Sequence, residues 1–314
     1  MAHDMPHDMP HDMPRDMARD TDDVATIRRW FAEDLRLRTP VTRDLAVIDA
    51  FATVPREHLL GGPGPWQLIS FNRLDLPFTT PDAAPHWLYH DVLVVIDAAR
   101  ELNNGAPSFW AHNLDHLDLK PGERVLQVGA GTGYYSAILA EIVGPRGHVV
   151  AVEYEPALAE RARANLAPWR QVEVVAGDGR QHDAGEVDAV VVFAGSTHPA
   201  PLWLDRLAEG GRLMMPLTGK DRWGFMLRAT RRGDAFEAGS IGWVGIYPCM
   251  GGRDEDAAAR LSRALMARPG KSGRDIPVCA LHRGAPDESA MDRVWYQAEG
   301  FWLERAPAQT AVAG

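Results

Sequence analysis

From Val24 onward, apolar side chains recur every three or four residues. Val24, Ile27, Trp30, Phe31 and Leu35 share one helical stripe, with Asp22 and Asp23 placed to cap the first turn. A second helix is expected from Thr42, carrying Leu45, Ile48 and Phe51. Residues 61–86 mix Gly, Pro and aromatic residues without a period and read as a long irregular connection. The spacing then predicts helices over about 91–102 and 108–118. The turn Asn103-Asn104-Gly105-Ala106-Pro107 separates them.

At Arg124 the pattern changes to short apolar runs alternating with helical stretches. Val125-Leu126-Gln127-Val128 is a buried strand, Tyr134 to Val143 a helix, 148–152 a strand, and Pro156 to Leu166 a helix with Pro at its first turn. Val172 to Ala176 and Ala189 to Phe193 are further strands, followed by a helix near Leu202–Leu207 and a strand at Arg212–Met215. Repeated strand–helix units with short links imply an α/β fold with a doubly wound, mostly parallel sheet covered on both faces. The last 70 or so residues are less regular. Leu261 and Leu265 lie on a helix there, and Trp295, Tyr296, Phe301 and Trp302 form a late aromatic group that reads as a packed C-terminal flap. Four regions are expected: a disordered tail over 1–22, a helical, acceptor-side region over 23–120, a nucleotide-binding domain over 121–250, and an extension over 251–314.

Composition narrows the function. The chain has 314 residues, 46% hydrophobic and 24% charged, with no apolar run long enough to span a membrane. Its N-terminus lacks the basic-then-apolar order of an export signal. The two cysteines, Cys249 and Cys279, exclude a disulfide scaffold and fit reduced thiols in the cytoplasm. Cys249, with nothing nearby in sequence to lower its pKa, reads as a buried small residue. Residues 3–14 repeat His-Asp-Met-Pro three times, and residues 1–23 hold seven Asp against two Arg, half of the net charge of −10. No basic surface for a phosphate backbone results, which argues against a nucleic-acid partner.

The chemistry centres on Val128-Gly129-Ala130-Gly131-Thr132-Gly133-Tyr134-Tyr135, between a strand and a helix. Glycines there let the backbone approach a ligand and turn into the helix N-terminus. Glu153 ends the next strand, where a carboxylate accepts both hydroxyls of a ribose, and Asp178-Gly179-Arg180 ends the one after, where an acid accepts from an adenine amino group. Three consecutive strand ends thus suit an adenosine. Dinucleotide loops favour Gly-x-Gly-x-x-Gly, and Tyr134 occupies the position of the third glycine. The Gly-x-Gly-x-Gly spacing instead resembles the S-adenosylmethionine loop of class I methyltransferases, whose core is a Rossmann-like sheet. Residues from about 42 to 250 resemble protein-L-isoaspartate O-methyltransferases. The resemblance lies in Val54-Pro55-Arg56, Tyr89-His90-Asp91, Val125 through Ala140, Asp178-Gly179-Arg180, and Gly210-Gly211-Arg212-Leu213 followed by Pro216. It implies that Gly129, Gly131, Gly133, Glu153, Asp178 and Gly179 hold S-adenosylmethionine, with Thr132 and Tyr154 beside them, and release S-adenosylhomocysteine. One of Tyr134 and Tyr135 is expected to face the pocket while the other packs.

On the acceptor side the chain departs from that family, which carries Thr-Ile-Ser-Gln-Pro before the first core strand. Here Asn103-Asn104-Gly105-Ala106-Pro107-Ser108 stands in its place, with Gly105 at the serine position. About twenty extra residues lie between His58 and Tyr89, and an extension follows Gly252. Methyl transfer from a sulfonium needs a nucleophile held about 3 Å away in line. A carboxylate is already ionised at neutral pH, whereas a hydroxyl or amine needs a base. His198 after the fourth core strand is the candidate base, Asn104 a candidate for orienting the acceptor, and Ser108 a candidate substitute for the serine. No metal is expected. The pairs His86/His90 and His112/His116 lack a carboxylate at ligand spacing and sit among aromatic neighbours. The expected acceptor is a carboxylate or hydroxyl of a peptide, protein or small metabolite. An RNA (tRNA adenine) methyltransferase and a cofactor-binding pseudoenzyme or partner subunit are the alternatives.

Overall fold

The computed structural model describes residues 24–39, 45–60, 62–70, 73–267 and 273–307. The expectations for the repetitive tail, for the caps Asp22 and Asp23, and for a helix start at Thr42 lie outside these residues. Helix α1 (Val24–Arg38) buries Phe31, Ala32 and Leu35, while Trp30 is exposed. Helix α2 (Leu45–Thr53) meets it with Val47, Ile48 and Phe51, and the short α3 (Arg56–Leu59) follows. Strands β1 (Gln67–Ser70), β2 (Arg73–Thr79), β3 (Leu93–Asp97) and β4 (Leu102–Asn103) then form a small antiparallel sheet in the order β2-β1-β3-β4.

Two expectations are corrected there. The stretch 61–86 contains the β1–β2 hairpin, and the helix expected over about 91–102 is the β3–β4 hairpin. Val92-Leu93-Val94-Val95-Ile96 has a spacing compatible with a helix, but its branched side chains favour a pleated strand. Glu101, at φ 55°, turns the chain back. The hairpin fixes Asn104, whose N–H donates to the Val94 carbonyl (3.1 Å) and whose Oδ1 accepts from the Val94 N–H (2.7 Å). Helix α4 (Pro107–Leu117) begins with proline at its first position and ends at left-handed Asp118, as the pattern over 108–118 predicts.

The alternating units follow as β5 (Arg124–Val128), α5 (Tyr134–Val143), β6 (His148–Glu153), α6 (Pro156–Asn165), β7 (Val172–Ala176), β8 (Val187–Val192), α7 (Pro201–Arg206) and β9 (Leu207–Thr218). The strands pair in parallel as β9-β8-β5-β6-β7. Both sheet faces are covered. Val125, Val149 and Ala189 pack with α1, α2, α4 and α5, whereas Leu126, Val150 and Val190 pack with Trp203 and Leu204 of α7. From β5 the chain winds outward through β6 and β7, then returns to the other side through β8 and β9. The crevice at the carboxyl end of β5 is therefore the switch point where a ligand fits an open α/β sheet.

Beyond β9 the same sheet continues through β10 (Trp223–Arg232), β11 (Ala235–Gly245), β12 (Val278–Arg283), β13 (Val294–Ala298) and β14 (Phe301–Arg305). Its full order is β13-β14-β12-β11-β10-β9-β8-β5-β6-β7. The expected parallel arrangement thus holds from β7 to β9, and every pairing past β9 is antiparallel. Helix α8 (Glu255–Met266) carries the expected Leu261 and is capped by Asp254, whose Oδ1 accepts from the Ala257 N–H (2.6 Å). The late aromatic group packs: Trp295 lies edge-on to Phe225 at 5.7 Å, and the Tyr296 hydroxyl donates to the Thr197 carbonyl (2.9 Å). Among the described residues no helix is long and apolar enough to cross a membrane.

Candidate active site

At the carboxyl end of β5 the chain turns tightly into α5. Gly129 and Ala130 both donate their N–H to the Val152 carbonyl (2.8 and 3.1 Å), which ties the loop to β6. Gly133, the N-cap of α5, has φ 95°, and a Cβ there would lie 2.8 Å from Leu166 Cδ1, so only glycine fits. The turn leaves the Gly131 N–H pointing at Glu153.

Glu153, 7% exposed, closes β6. Its Oε2 accepts from the Gly131 N–H (2.7 Å) and its Oε1 from the Glu155 N–H (3.0 Å). Each oxygen keeps a further lone pair, so the carboxylate can receive two hydroxyl donors side by side. Burial pushes its pKa up, with the backbone N–H groups of Glu155 and Gly131 opposing. Asp178 follows β7; its Oδ1 accepts from the Arg180 N–H and its Oδ2 from Gln181 Nε2, both at 2.9 Å. Gly179 is fixed by Trp203, whose indole N–H donates to its carbonyl (2.8 Å). Tyr154, 50% exposed, contributes an open ring surface, and Thr132 is buried beneath the loop.

Gly129, Gly131, Thr132, Glu153, Tyr154, Asp178 and Gly179 line one cavity of about 390 Å³, whereas Gly133, expected among them, shapes the turn without lining it. The donor set fits an S-adenosyl group: paired carboxylate oxygens for a ribose diol, an acid and backbone groups for a base, and a glycine turn for close approach. Asn103 of β4 and Asn104 and Gly105 after it also line the cavity, together with Trp110 of α4 and Phe193 after β8. Trp110 stacks on Phe193 at 3.7 Å. Tyr134 and Tyr135 are both buried and both line it, contrary to the expectation that only one would. Burial raises both phenol pKa values, and the Tyr135 hydroxyl donates to the Gly105 carbonyl (3.2 Å), so neither serves as a base.

Two expected acceptor-side residues do not reach the cavity. His198 Nε2 lies 3.0 Å from Arg180 Nη2, and Nδ1 lies 2.9 Å from Thr197 Oγ1. A guanidinium only donates, so Nε2 accepts and its lone pair is already taken. Burial and the Arg180 charge both lower its pKa. Ser108 sits in the first turn of α4 with its N–H donating to Asp91 Oδ1 (2.9 Å), outside the cavity. Sequence reading gave no site role to Trp110, to Phe193 or to the segment Ile246–Met250, of which it singled out only Cys249, and all of these line the cavity. Aromatic residues at helical spacing carry the same signal whether they pack or line a pocket. Cys249 is buried as expected, and burial raises its thiol pKa.

Residues 75–242 match the model of the Protein-L-isoaspartate(D-aspartate) O-methyltransferase family. A protein-L-isoaspartate O-methyltransferase of Methanothermobacter thermautotrophicus is 32% identical over 231 residues, 71% of this chain and 95% of its own length. That of Ignicoccus hospitalis is 36% identical over 141 residues, 44% of this chain and 66% of its own length. The fold resembles a Plasmodium falciparum structure described as a protein-L-isoaspartate O-methyltransferase in complex with S-adenosyl-L-homocysteine. The TM-score is 0.55 at 20% identity, covering 71% of this chain and 97% of that one. With the glycine turn, the two strand-end acids and these matches together, the chain belongs to the protein-L-isoaspartate(D-aspartate) O-methyltransferase family and is an S-adenosylmethionine-dependent methyltransferase.

Proposed function

We propose that this enzyme transfers a methyl group to a carboxylate oxygen of a peptide or protein, an isoaspartyl residue being the first acceptor to test. Bound between Glu153 and Asp178, S-adenosylmethionine supplies a methyl group on a sulfonium sulfur. The observation that carries the reading is the absence of a base at the other end of the cavity. Its described lining includes no histidine and no lysine; of its four tyrosines, burial raises the pKa of Tyr134, Tyr135 and Tyr247, and Tyr154 stands beside Glu153 on the other side. A hydroxyl or amine acceptor would need a proton removed there, whereas a carboxylate arrives ionised. An oxygen lone pair forms the O–CH3 bond as the S–CH3 bond breaks onto sulfur. Anion and sulfonium become ester and thioether, and no proton moves. The protein's part is then to orient the acceptor, exclude water and hold the two reactants in line. The two free cysteines support a reducing, cytoplasmic setting.

The test is transfer of labelled methyl from S-adenosylmethionine to an isoaspartyl peptide, with the matched aspartyl peptide as control. Label that enters the isoaspartyl peptide and leaves as methanol in mild alkali is the expected result. Label that stays through alkali would mean methylation of nitrogen, or of an oxygen other than a carboxylate, and would overturn the reading.

A further inference from the structure

One wall of the cavity is built around Trp110. The residue is 2% exposed, stacks on Phe193 at an interplanar angle of 23°, and lies 5.6 Å from the Tyr135 ring. These contacts fix the indole plane and the direction of its N–H. A Cβ built on Gly105 would sit 2.6 Å from Trp110 Nε1 and 3.1 Å from Cδ1. The pyrrole edge therefore occupies the space that any side chain at position 105 would enter. Gly105, at φ 76°, is also in the left-handed region that disfavours such a side chain. Glycine at 105 and tryptophan at 110 are thus a matched pair: the first leaves room for the N–H of the second.

Among the described residues no group accepts the Trp110 indole N–H. Asn104, beside Gly105 on the same wall, has a second donor that nothing in the described residues accepts. Its Oδ1 is held by the Val94 N–H, which fixes the amide, and its Nδ2 is buried without a partner. Buried donors almost always find an acceptor, so the unpaired Asn104 Nδ2 on the wall of a ligand cavity calls for one, and the Trp110 N–H on the same wall adds a second donor. Both donors are neutral. A carboxylate held by them keeps its full charge for attack, which a guanidinium or ammonium would partly neutralise. The Arg100 guanidinium, which also lines the cavity, is engaged by Asp97 (3.5 Å) and Glu155 (3.3 Å).

Resting on the carboxylate reading above, we propose that Trp110 Nε1–H and Asn104 Nδ2 bind and orient the acceptor carboxylate. The test uses the full chain saturated with S-adenosylhomocysteine and labelled with 15N at its ten tryptophan indoles. The Trp110 signal is assigned as the one missing from Trp110→Phe, which keeps an aromatic ring in the stack. Adding an isoaspartyl peptide is expected to move that indole proton downfield, and the same peptide with asparagine in place of isoaspartate should leave it unmoved. In turnover, Trp110→Phe is expected to raise KM for the peptide roughly tenfold or more, with S-adenosylhomocysteine affinity unchanged. Asn104→Asp, which retains the Val94 bond but replaces the donor by an anion, should raise KM likewise. If the peptide is methylated while the indole signal stays fixed, or while KM is unchanged in Trp110→Phe, the proposal is overturned and the carboxylate reading stands. If the wild type neither binds nor methylates the peptide, the isoaspartyl form of that reading falls and this proposal falls with it.

Discussion

Glu153→Ala is expected to weaken S-adenosylhomocysteine binding by about 1.5–3 kcal/mol, or roughly ten- to a hundred-fold in Kd. The carboxylate is held by the Gly131 and Glu155 N–H groups with both oxygens still able to accept, so the change takes away the charge-assisted bonds proposed for the ribose. It also leaves two backbone donors without an acceptor. Wild-type affinity should depend on pH with a definite sign. Burial raises the Glu153 pKa, so on acidification it takes up a proton before an exposed glutamate would. The protonated carboxyl accepts hydroxyl donors poorly. Affinity should therefore be full above that raised pKa and fall as pH drops through it, a limb the alanine variant lacks. The same raised value means that the cofactor-free protein loses a little stability as pH rises through it, since the unfolded chain gives up this proton at lower pH. Calorimetric titration across pH measures the binding effects. Equal affinity in wild type and variant would remove Glu153 from the site.

Arg212→Met is expected to cost about 3–5 kcal/mol of stability, the larger of the two effects. The Arg212 guanidinium binds both Glu123 oxygens (2.7 and 2.8 Å) and donates to the carbonyls of Leu117 and Asp118 (3.1 and 2.7 Å). It thereby ties β9 to the end of α4 and to the entry of β5, the two elements that carry Trp110 and the glycine turn. Removing it strands a nearly buried carboxylate and leaves carbonyls unpaired at the end of α4. Denaturant unfolding measures the loss. Adding Glu123→Leu to Arg212→Met should recover part of it, because the stranded charge is then gone. A double variant less stable than the single one would contradict this account.

The parallel half of the sheet was legible for a physical reason. Strands covered on both faces, such as Val149-Val150-Ala151-Val152, are continuous apolar runs, and β5, β6 and β7 carry a glycine or an acid at their carboxyl ends. Those ends line the cavity, so Glu153 and Asp178 stood out from the sequence. The β3–β4 hairpin was misread because its branched residues fall at intervals that also suit a helix, and only pairing with β1 settles the matter. The antiparallel half escaped notice because β10 and β11 are long and half-polar, stabilised by partners remote in sequence. His198 was chosen for its place after β8, yet the direction of its ring is set by Arg180 and Thr197, which no spacing reveals. Trp110 was missed for the converse reason: its place on α4 looks like packing, and its relation to Gly105 exists only in three dimensions.

A crystal structure of the protein with S-adenosylhomocysteine tests the central claim most directly. The account predicts the ribose hydroxyls on Glu153, the adenine beside Asp178 and Gly179, and the sulfur directed toward the wall of Asn104, Gly105 and Trp110. A ribose bound away from Glu153, or a sulfur directed at any other wall, would contradict it.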